Sequence, residues 1–299
     1  MKQTRYGHSH NINAARKTVS AITAAFVIFV ATSLTSCVKD ELYDTPHPDK
    51  GALVLDVDGL PGGDGYMVDI DGQTFETTGS MFAVPDLFEP GTHTLTVYNR
   101  PEGFSVEGLV AHVAPLEAAV RSADGLIHPL PGYLHSGTRQ IEVTADDILK
   151  VEMSVSQRVR DLRLELTVTE GDPERIASVK GTVSEIAGMF DLTTQKTTGE
   201  AASTVVAFTR TGDKLTADAR LLGFMGEKPM LTVEIRFTDG STQTVENESF
   251  ADAVKDFNKD MAEPFVLTGN LNTPMEAGMN ATIEDWQPGN GGGEDVDIQ

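Results

Sequence analysis

From residue 52 onward, apolar and polar residues alternate with a period of two along most of the chain. This spacing sets one face of a strand in a core and the other in water. Leu53, Leu55 and Val57 alternate with Val54, Asp56 and Asp58. Asp71-Gly72 stands between Val68-Asp69-Ile70 and Gln73-Thr74-Phe75 as a hairpin signal, because both residues tolerate the positive φ of a two-residue turn. Pro90-Gly91 opens the alternating run Thr92 to Asn99, and Val106 to Ala114 reads as the next strand. A loop rich in turn residues, Pro115 to Gly137, precedes Arg139 to Val143 and the short strand Leu149 to Val155. The cleanest alternation is Leu162-Arg163-Leu164-Glu165-Leu166-Thr167-Val168. Further strand-like runs fall at Ser178 to Ile186, Ser203 to Arg210, Lys214 to Leu222, Leu231 to Phe237, Phe265 to Leu267 and Ala281 to Trp286. Short strands at such intervals, broken by turns, predict an all-β chain built as sandwiches.

One segment departs from this period. Phe250, Ala253, Val254, Phe257 and Met261 recur at helical spacing, Ser249 stands at the N-cap position and Asp252 follows three residues on. The pattern predicts one short helix on the second sandwich. The expected organisation is therefore 1–36 as an export signal, 37–50 as a tether, 51–155 and 156–287 as two β-sandwich domains, and 288–299 as a disordered acidic tail. The tether contains Pro46 and Pro48 and should be extended chain that burial does not hold. At roughly 3.3 Å per residue it reaches about 40 Å.

The export assignment rests on the N-terminus. Lys2, Arg5, Arg16 and Lys17 precede Thr18 to Ser36, a stretch with no charge that is apolar first and small before the cut, as a secretory signal requires. It ends at Cys37, the single cysteine of the chain. Leu34-Thr35-Ser36-Cys37 resembles the lipobox of bacterial lipoproteins, in which the thiol takes a diacylglycerol and the amine freed by cleavage takes a further acyl chain. The competing reading is an uncleaved anchor helix, since 17 to 25 apolar residues span a bilayer. Both place the remainder outside the cytoplasm.

Loss of residues 1–36 removes four basic side chains and no acidic ones, taking the formal charge from −22 to −26. Such a surface repels phosphate backbones and anionic headgroups, which excludes nucleic acid as the main partner. Membrane attachment then falls to lipid on Cys37, because two or more acyl chains anchor stably where one does not. With its one cysteine acylated, the chain has no disulfide and depends on apolar cores.

Catalytic signals are lacking. There is no His-Glu-x-x-His, Gly-x-Ser-x-Gly, phosphate loop or dinucleotide fingerprint. His112, His128 and His135 share one loop region but read as surface residues. Asp56-Val57-Asp58-Gly59 and Asp69-Ile70-Asp71-Gly72 place glycine fourth, not sixth as in an EF-hand, and read as turns. No catalytic, cofactor-binding or metal residue is assigned, and no small-molecule substrate. Past the signal, the aromatic residues suited to stacking on sugars are Tyr43, Tyr66, Tyr98, Tyr133 and Trp286.

Many short segments resemble the fimbrial anchor lipoprotein family of type V pili. These include Pro90-Gly91-Thr92-His93-Thr94-Leu95-Thr96-Val97-Tyr98-Asn99, Gln157-Arg158-Val159-Arg160-Asp161-Leu162, Gly171-Asp172-Pro173-Glu174-Arg175-Ile176 and Arg220-Leu221-Leu222-Gly223. Ile235-Arg236-Phe237-Thr238-Asp239-Gly240, Asp256-Phe257-Asn258 and Ala281-Thr282-Ile283-Glu284-Asp285-Trp286 add to them. The resemblance implies two tandem transthyretin-like Greek-key β-sandwich domains and a lipoprotein that attaches the fimbrial shaft subunit to the outer membrane. In that family, stalk subunits lose lipid and first strand together to an arginine-directed protease, and the exposed groove takes a neighbour's C-terminal strand.

This chain has no arginine between Cys37 and Tyr98, and Arg100 is followed by Pro101, which blocks such proteases. The expected consequence is a retained first strand, Ala52, Leu53, Val54, Leu55, Asp56 and Val57. The candidate donor strand is Ala281, Thr282, Ile283, Glu284, Asp285 and Trp286. Lys39-Asp40-Glu41 after the lipidated position resembles the charged signal that sends lipoproteins to the cell surface, although any solvated linker can hold such a run. The alternatives are a glycan-binding surface lipoprotein and a tip or accessory fimbrial adhesin.

Overall fold

The computed structural model describes residues 43–59, 65–116, 125–274 and 280–289. The signal, Cys37, Lys39-Asp40-Glu41 and the tail from 290 lie outside the described residues. In chain order the first half comprises β1 (Ala52–Asp58), β2 (Tyr66–Ile70), β3 (Gln73–Thr77), β4 (Met81–Ala83), β5 (Gly91–Asn99), β6 (Phe104–Glu107), β7 (Val110–Val113), β8 (His135–Val143), β9 (Ile148–Ser154) and β10 (Ser156–Gln157). The second half continues with β11 (Arg160–Glu170), β12 (Ile176–Asp191), β13 (Lys196–Thr211), β14 (Lys214–Leu221), β15 (Leu231–Phe237) and β16 (Thr242–Asn247). The helix α1 (Phe250–Ala253), β17 (Phe265–Asn272) and β18 (Thr282–Pro288) complete it.

The all-β expectation holds. Two sheets, β4-β1-β9 and β10-β8-β5-β2-β3, face each other across a core that includes Leu53, Leu55, Val57, Val68, Ile70, Leu95, Val97, Ile141 and Val151. In the second half one sheet runs β16-β15-β12-β13-β14-β11-β17-β18. It folds over a core whose centre is the predicted row Leu162, Leu164, Leu166 and Val168. The halves share a topological device: β1 pairs in parallel with β9, and β11 pairs in parallel with β17.

Four expectations change. Val106 to Ala114 is not one strand but the hairpin β6–β7, because Gly108 and Leu109 both take positive φ, 55° and 63°, which closes a two-residue turn. The helix is four residues, followed by a separate 3₁₀ turn at Phe257–Lys259. Ser249 makes no capping bond; its hydroxyl donates to Asn247 Oδ1 at 2.8 Å. Beyond the helix, Arg160 holds the loop that follows it. The Arg160 guanidinium is buried, donates to the carbonyls of Glu263 (2.6 Å), Asp256 (3.4 Å) and Phe257, and stacks on Phe257 and Phe265. Third, the end of the expected tether is not loose, as described below. Fourth, β16 has only Val245 and Asn247 buried, too little apolar patterning to be read as a strand.

The halves are knitted together. β7 adds to β12 with His112, Ala111 and Val110 opposite Met189, Phe190 and Asp191. A separate apolar cluster, including Met67, Tyr98, Leu134, Val159, Phe190, Leu192 and Leu222, fills the junction. Tyr133 donates to the Asp161 carboxylate at 2.8 and 3.0 Å. Arg220 Nε donates to Asp161 at 3.2 Å, and its guanidinium lies 4.4 Å from the Tyr133 ring centre. The described end of the long loop packs on the second half, with Ile127 N–H to Ser203 O and Arg220 N–H to Pro129 O.

Truncating Arg160 removes the donor to the Glu263 and Phe257 carbonyls and uncovers two rings; the Asp256 carbonyl keeps the Lys259 N–H at 3.2 Å. Arg160→Ala should lower stability by about 2–4 kcal/mol in urea unfolding. Arg160→Lys should recover little, because a lysine lacks the planar fork. Wild-type stability in Arg160→Ala would show that the buried cation does not organise this loop.

Candidate anchoring and strand-pairing site

The chain enters the first half through a clip. Thr45 is buried, its N–H donates to Asp146 Oδ1 at 3.0 Å, and its hydroxyl lies 2.6 Å from His47 O and 3.2 Å from Lys50 O. Lys50 N–H closes a turn onto His47 O, and Asp146 N–H returns to Lys50 O. Residues 45–50 are therefore part of the folded body. Seven residues separate Cys37 from the clip, a span of at most roughly 25 Å.

After the clip, β1 fills its groove completely. Ala52 through Asp58 stand opposite Ile148 through Ser154 of β9 without a register shift, while Val54, Leu55 and Asp56 pair with β4. Leu53 and Leu55 are at most 1% exposed and Val57 is buried. The expected first strand is thus paired along its whole length with β9 and over its central three residues with β4. Arg100 lies just past the end of β5 and is exposed.

Beside the entry, His93 bridges two acceptors: Asp71 Oδ2 at 2.7 Å through Nδ1, and Glu89 O at 2.7 Å through Nε2. Both partners accept, so the ring that satisfies both is the imidazolium. Burial opposes that charge, but the Glu89 carbonyl and the Asp71 carboxylate outweigh it and raise the His93 pKa. The Thr94 N–H, followed by His93, holds the Asp71 pKa down against burial.

The C-terminal strand occupies the far edge of the second sheet. Among the described residues β18 pairs with β17 alone, antiparallel, with a register break between Thr268 and Asn270. Opposite this break Asp285 takes φ 56°, a bulge that bends the strand. On its other side β18 meets β16 not through a ladder but through two side-chain amides. Asn247 Nδ2 donates to Ile283 O at 2.9 Å, and Ala281 N–H donates to Gln243 Oε1 at 2.7 Å. These contacts join the two ends of the sheet across a seam. Trp286 lies on Gly269, where an added Cβ would come within 3.0 Å of the indole, and packs edge-on against Phe250. Among the described residues its buried indole N–H has no hydrogen-bond partner. β18 is therefore laddered on one edge and clipped by side chains on the other.

The other candidates are placed apart from these contacts. His112 is on β7, His128 accepts from Leu130 N–H at 3.2 Å, and half-buried His135 on β8 faces Tyr133 O. Asp58 caps its own turn by accepting from Gly59 N–H, and Asp69 accepts from Gly72 N–H and the Thr74 hydroxyl, so these carboxylates serve turns, as expected. Tyr66 and Tyr98 are buried and Tyr133 is engaged with Asp161, so the described tyrosines and Trp286 form no shared exposed face. Thr45, Asp146, Gln243 and Asn247 were not anticipated. Each is a polar residue in a polar stretch, and only the fold brings its partner near.

Two outcomes test this geometry. The raised His93 pKa stabilises the fold fully below the ordinary histidine value, and this contribution is lost as pH rises through the raised value. The lowered Asp71 pKa stabilises above the ordinary carboxylate value, and this is lost as pH falls through the lowered one. The stability difference between wild type and His93→Gln should therefore be greatest between about pH 4 and 6.5 and shrink toward pH 8. A pH-independent difference would show that His93 is neutral. At the seam, Asn247→Leu should cost about 1–3 kcal/mol locally and speed amide exchange of residues 282–288 while sparing β11. Unchanged exchange would show that the amides do not hold β18.

Among the described residues no helix is long and apolar enough to cross a membrane. No curated protein matches this chain. Among solved structures, the fimbrial anchor protein Mfa2 from Porphyromonas gingivalis aligns at TM-score 0.57 and 11% identity, covering 80% of this chain and 97% of that one. A candidate adhesin from Bacteroides ovatus aligns at 0.54 and 14%, covering 84% and 97%. A candidate polysaccharide binding protein from Bacteroides thetaiotaomicron aligns at 0.52 and 8%, covering 75% and 92%. At these identities the likeness is one of fold. The family model for fimbrillin-A associated anchor proteins Mfa1 and Mfa2 matches residues 83–290, and the chain belongs to that family of fimbrial anchor proteins.

Proposed function

We propose that this protein is the lipid-anchored end of a fimbrium: acylated Cys37 holds it in the outer membrane, facing outward, and its retained first strand ends polymerisation. The carrying observation is the pairing of β1, all seven residues with β9 and Val54, Leu55 and Asp56 with β4, in a chain with no arginine between Cys37 and Arg100. A groove already filled by its own strand has no place for a neighbour's. The two cores support reading 51–155 and 156–287 as two domains, with Ser156 and Gln157 at the start of the second span paired to β8 of the first. The partner is the fimbrial shaft subunit, and the role is structural, not catalytic. On this reading β18 is the segment offered to the shaft, since it has one ladder partner and its other edge is held by two amides.

Labelled palmitate should enter wild type and not Cys37→Ala, and the variant should shed fimbriae into the medium. Label retained in Cys37→Ala, or fimbriae held on the cell without it, would overturn lipid anchoring. Separately, deletion of residues 281–299 should release fimbriae while leaving the acylated protein in the membrane. Normally anchored fimbriae in that deletion would remove β18 from the attachment.

A further inference from the structure

The tether and the link to the second half leave the first sandwich at opposite ends of one strand pair. The tether joins the N-terminal end of β1, where Ala52 stands opposite Ile148. The link continues from the C-terminal end of β9, where Ser154 stands opposite Asp58, through the two residues of β10 paired with β8. The pair is parallel, so pulling the two attachments apart draws β1 backward and β9 forward along their common axis.

From this geometry we infer a mechanical function: the β1–β9 pair is a shear clamp that carries tension between the membrane and the filament. In shear the ladder bonds are loaded together. If both strands were pulled from the same end, they would be loaded one after another and part like a zipper. The clamp is bounded by Ala52 N–H to Asp147 O (2.9 Å) at its start and Val155 N–H to Asp58 O (3.1 Å) at its end, with seven registered pairs between them. On its other edge β1 is also held along its length, by Val57 N–H to Ser80 O (2.8 Å) and Val84 N–H to Leu53 O (3.0 Å). Withdrawal of β1 would drag Leu53, Leu55 and Val57 out of the core as well. The Thr45–Asp146 clip lies ahead of the clamp and lets load reach it only after the clip opens. The same arrangement recurs where the link enters β11, which is parallel to β17 over eight registered pairs.

This function gains its biological meaning from the N-terminal attachment proposed above, but its physics belongs to the fold. The test is single-molecule stretching of residues 37–299 with Cys37→Ser and handles on introduced cysteines. With Asp44→Cys and Asp213→Cys the pull loads β1 against β9 in shear. With Asp44→Cys and Asp147→Cys it parts the two strands from one end. Forced unfolding follows the barrier along the pulled direction, not the equilibrium stability, so the same protein should yield at a several-fold higher force in the first geometry. Val54→Pro should lower only that force, because the alternation from Ala52 N–H places the Val54 N–H on the β9 side and proline removes it. Equal forces in the two geometries would overturn the clamp, as would a high force unchanged in a folded Val54→Pro. Neither result depends on lipid, so failure here leaves the anchor reading standing, and failure to find lipid leaves the clamp standing.

Discussion

The parallel ladder between β1 and β9 is the interaction on which the other features depend. Its strands come from the two ends of the first half, so the ladder closes that half by joining where the chain enters to where it leaves. Parallel pairing of this kind has slanted, evenly spaced bonds and is slightly less stable per residue than antiparallel pairing. Its strength comes from the side chains beneath it: Leu53, Leu55 and Val57 are buried among β2, β5, β8 and β9. A first strand held this way is a structural member of the sandwich, and its removal would open the core along its full length.

The same member ties the chain's entry to everything beyond it. Thr45 and Asp146 bind the last residues before β1 to the turn that begins β9. At the opposite end Arg158 donates to Ser136 through Nε (3.1 Å) and Nη2 (2.8 Å). Gln157 reaches Val159 O and Met261 O. The link between halves is thus bonded to both, and the β7–β12 ladder and the Tyr133–Asp161–Arg220 group brace it from the side. An interface with its own apolar cluster and a shared ladder resists hinge motion, which suits a part that transmits load.

Much of this was legible in the chain because it depends on local alternation. The β11 leucine row, the Asp71-Gly72 hairpin and the β1 pattern each state their own burial. What escaped depends on partners distant in sequence. Val106 to Ala114 keeps a strand-like composition through a turn, because a leucine at φ 63° gives no warning of positive φ. The helical spacing of Phe250 to Met261 is real as a packing pattern, with Phe250, Val254 and Phe257 all buried. Arg160, about ninety residues earlier, binds the carbonyls of Asp256, Phe257 and Glu263 in the loop that follows the short helix. β16 is polar because Asn247 and Gln243 serve the β18 seam with their side chains, so the usual signal of a strand is absent where its function lies. Thr45 sits among prolines and acids that describe a linker, and only the Asp146 turn makes it part of the body.

The central claim is that the native molecule keeps its front end: a fatty-acylated Cys37 followed by an uncut first strand. Intact mass and N-terminal peptide mapping of the protein purified with its fimbriae test this most directly. The account predicts a chain that begins at Cys37 bearing diacylglycerol and an N-linked acyl chain, with residues 52–58 present in full. A mature chain that begins beyond Asp58, or carries no lipid, would contradict it.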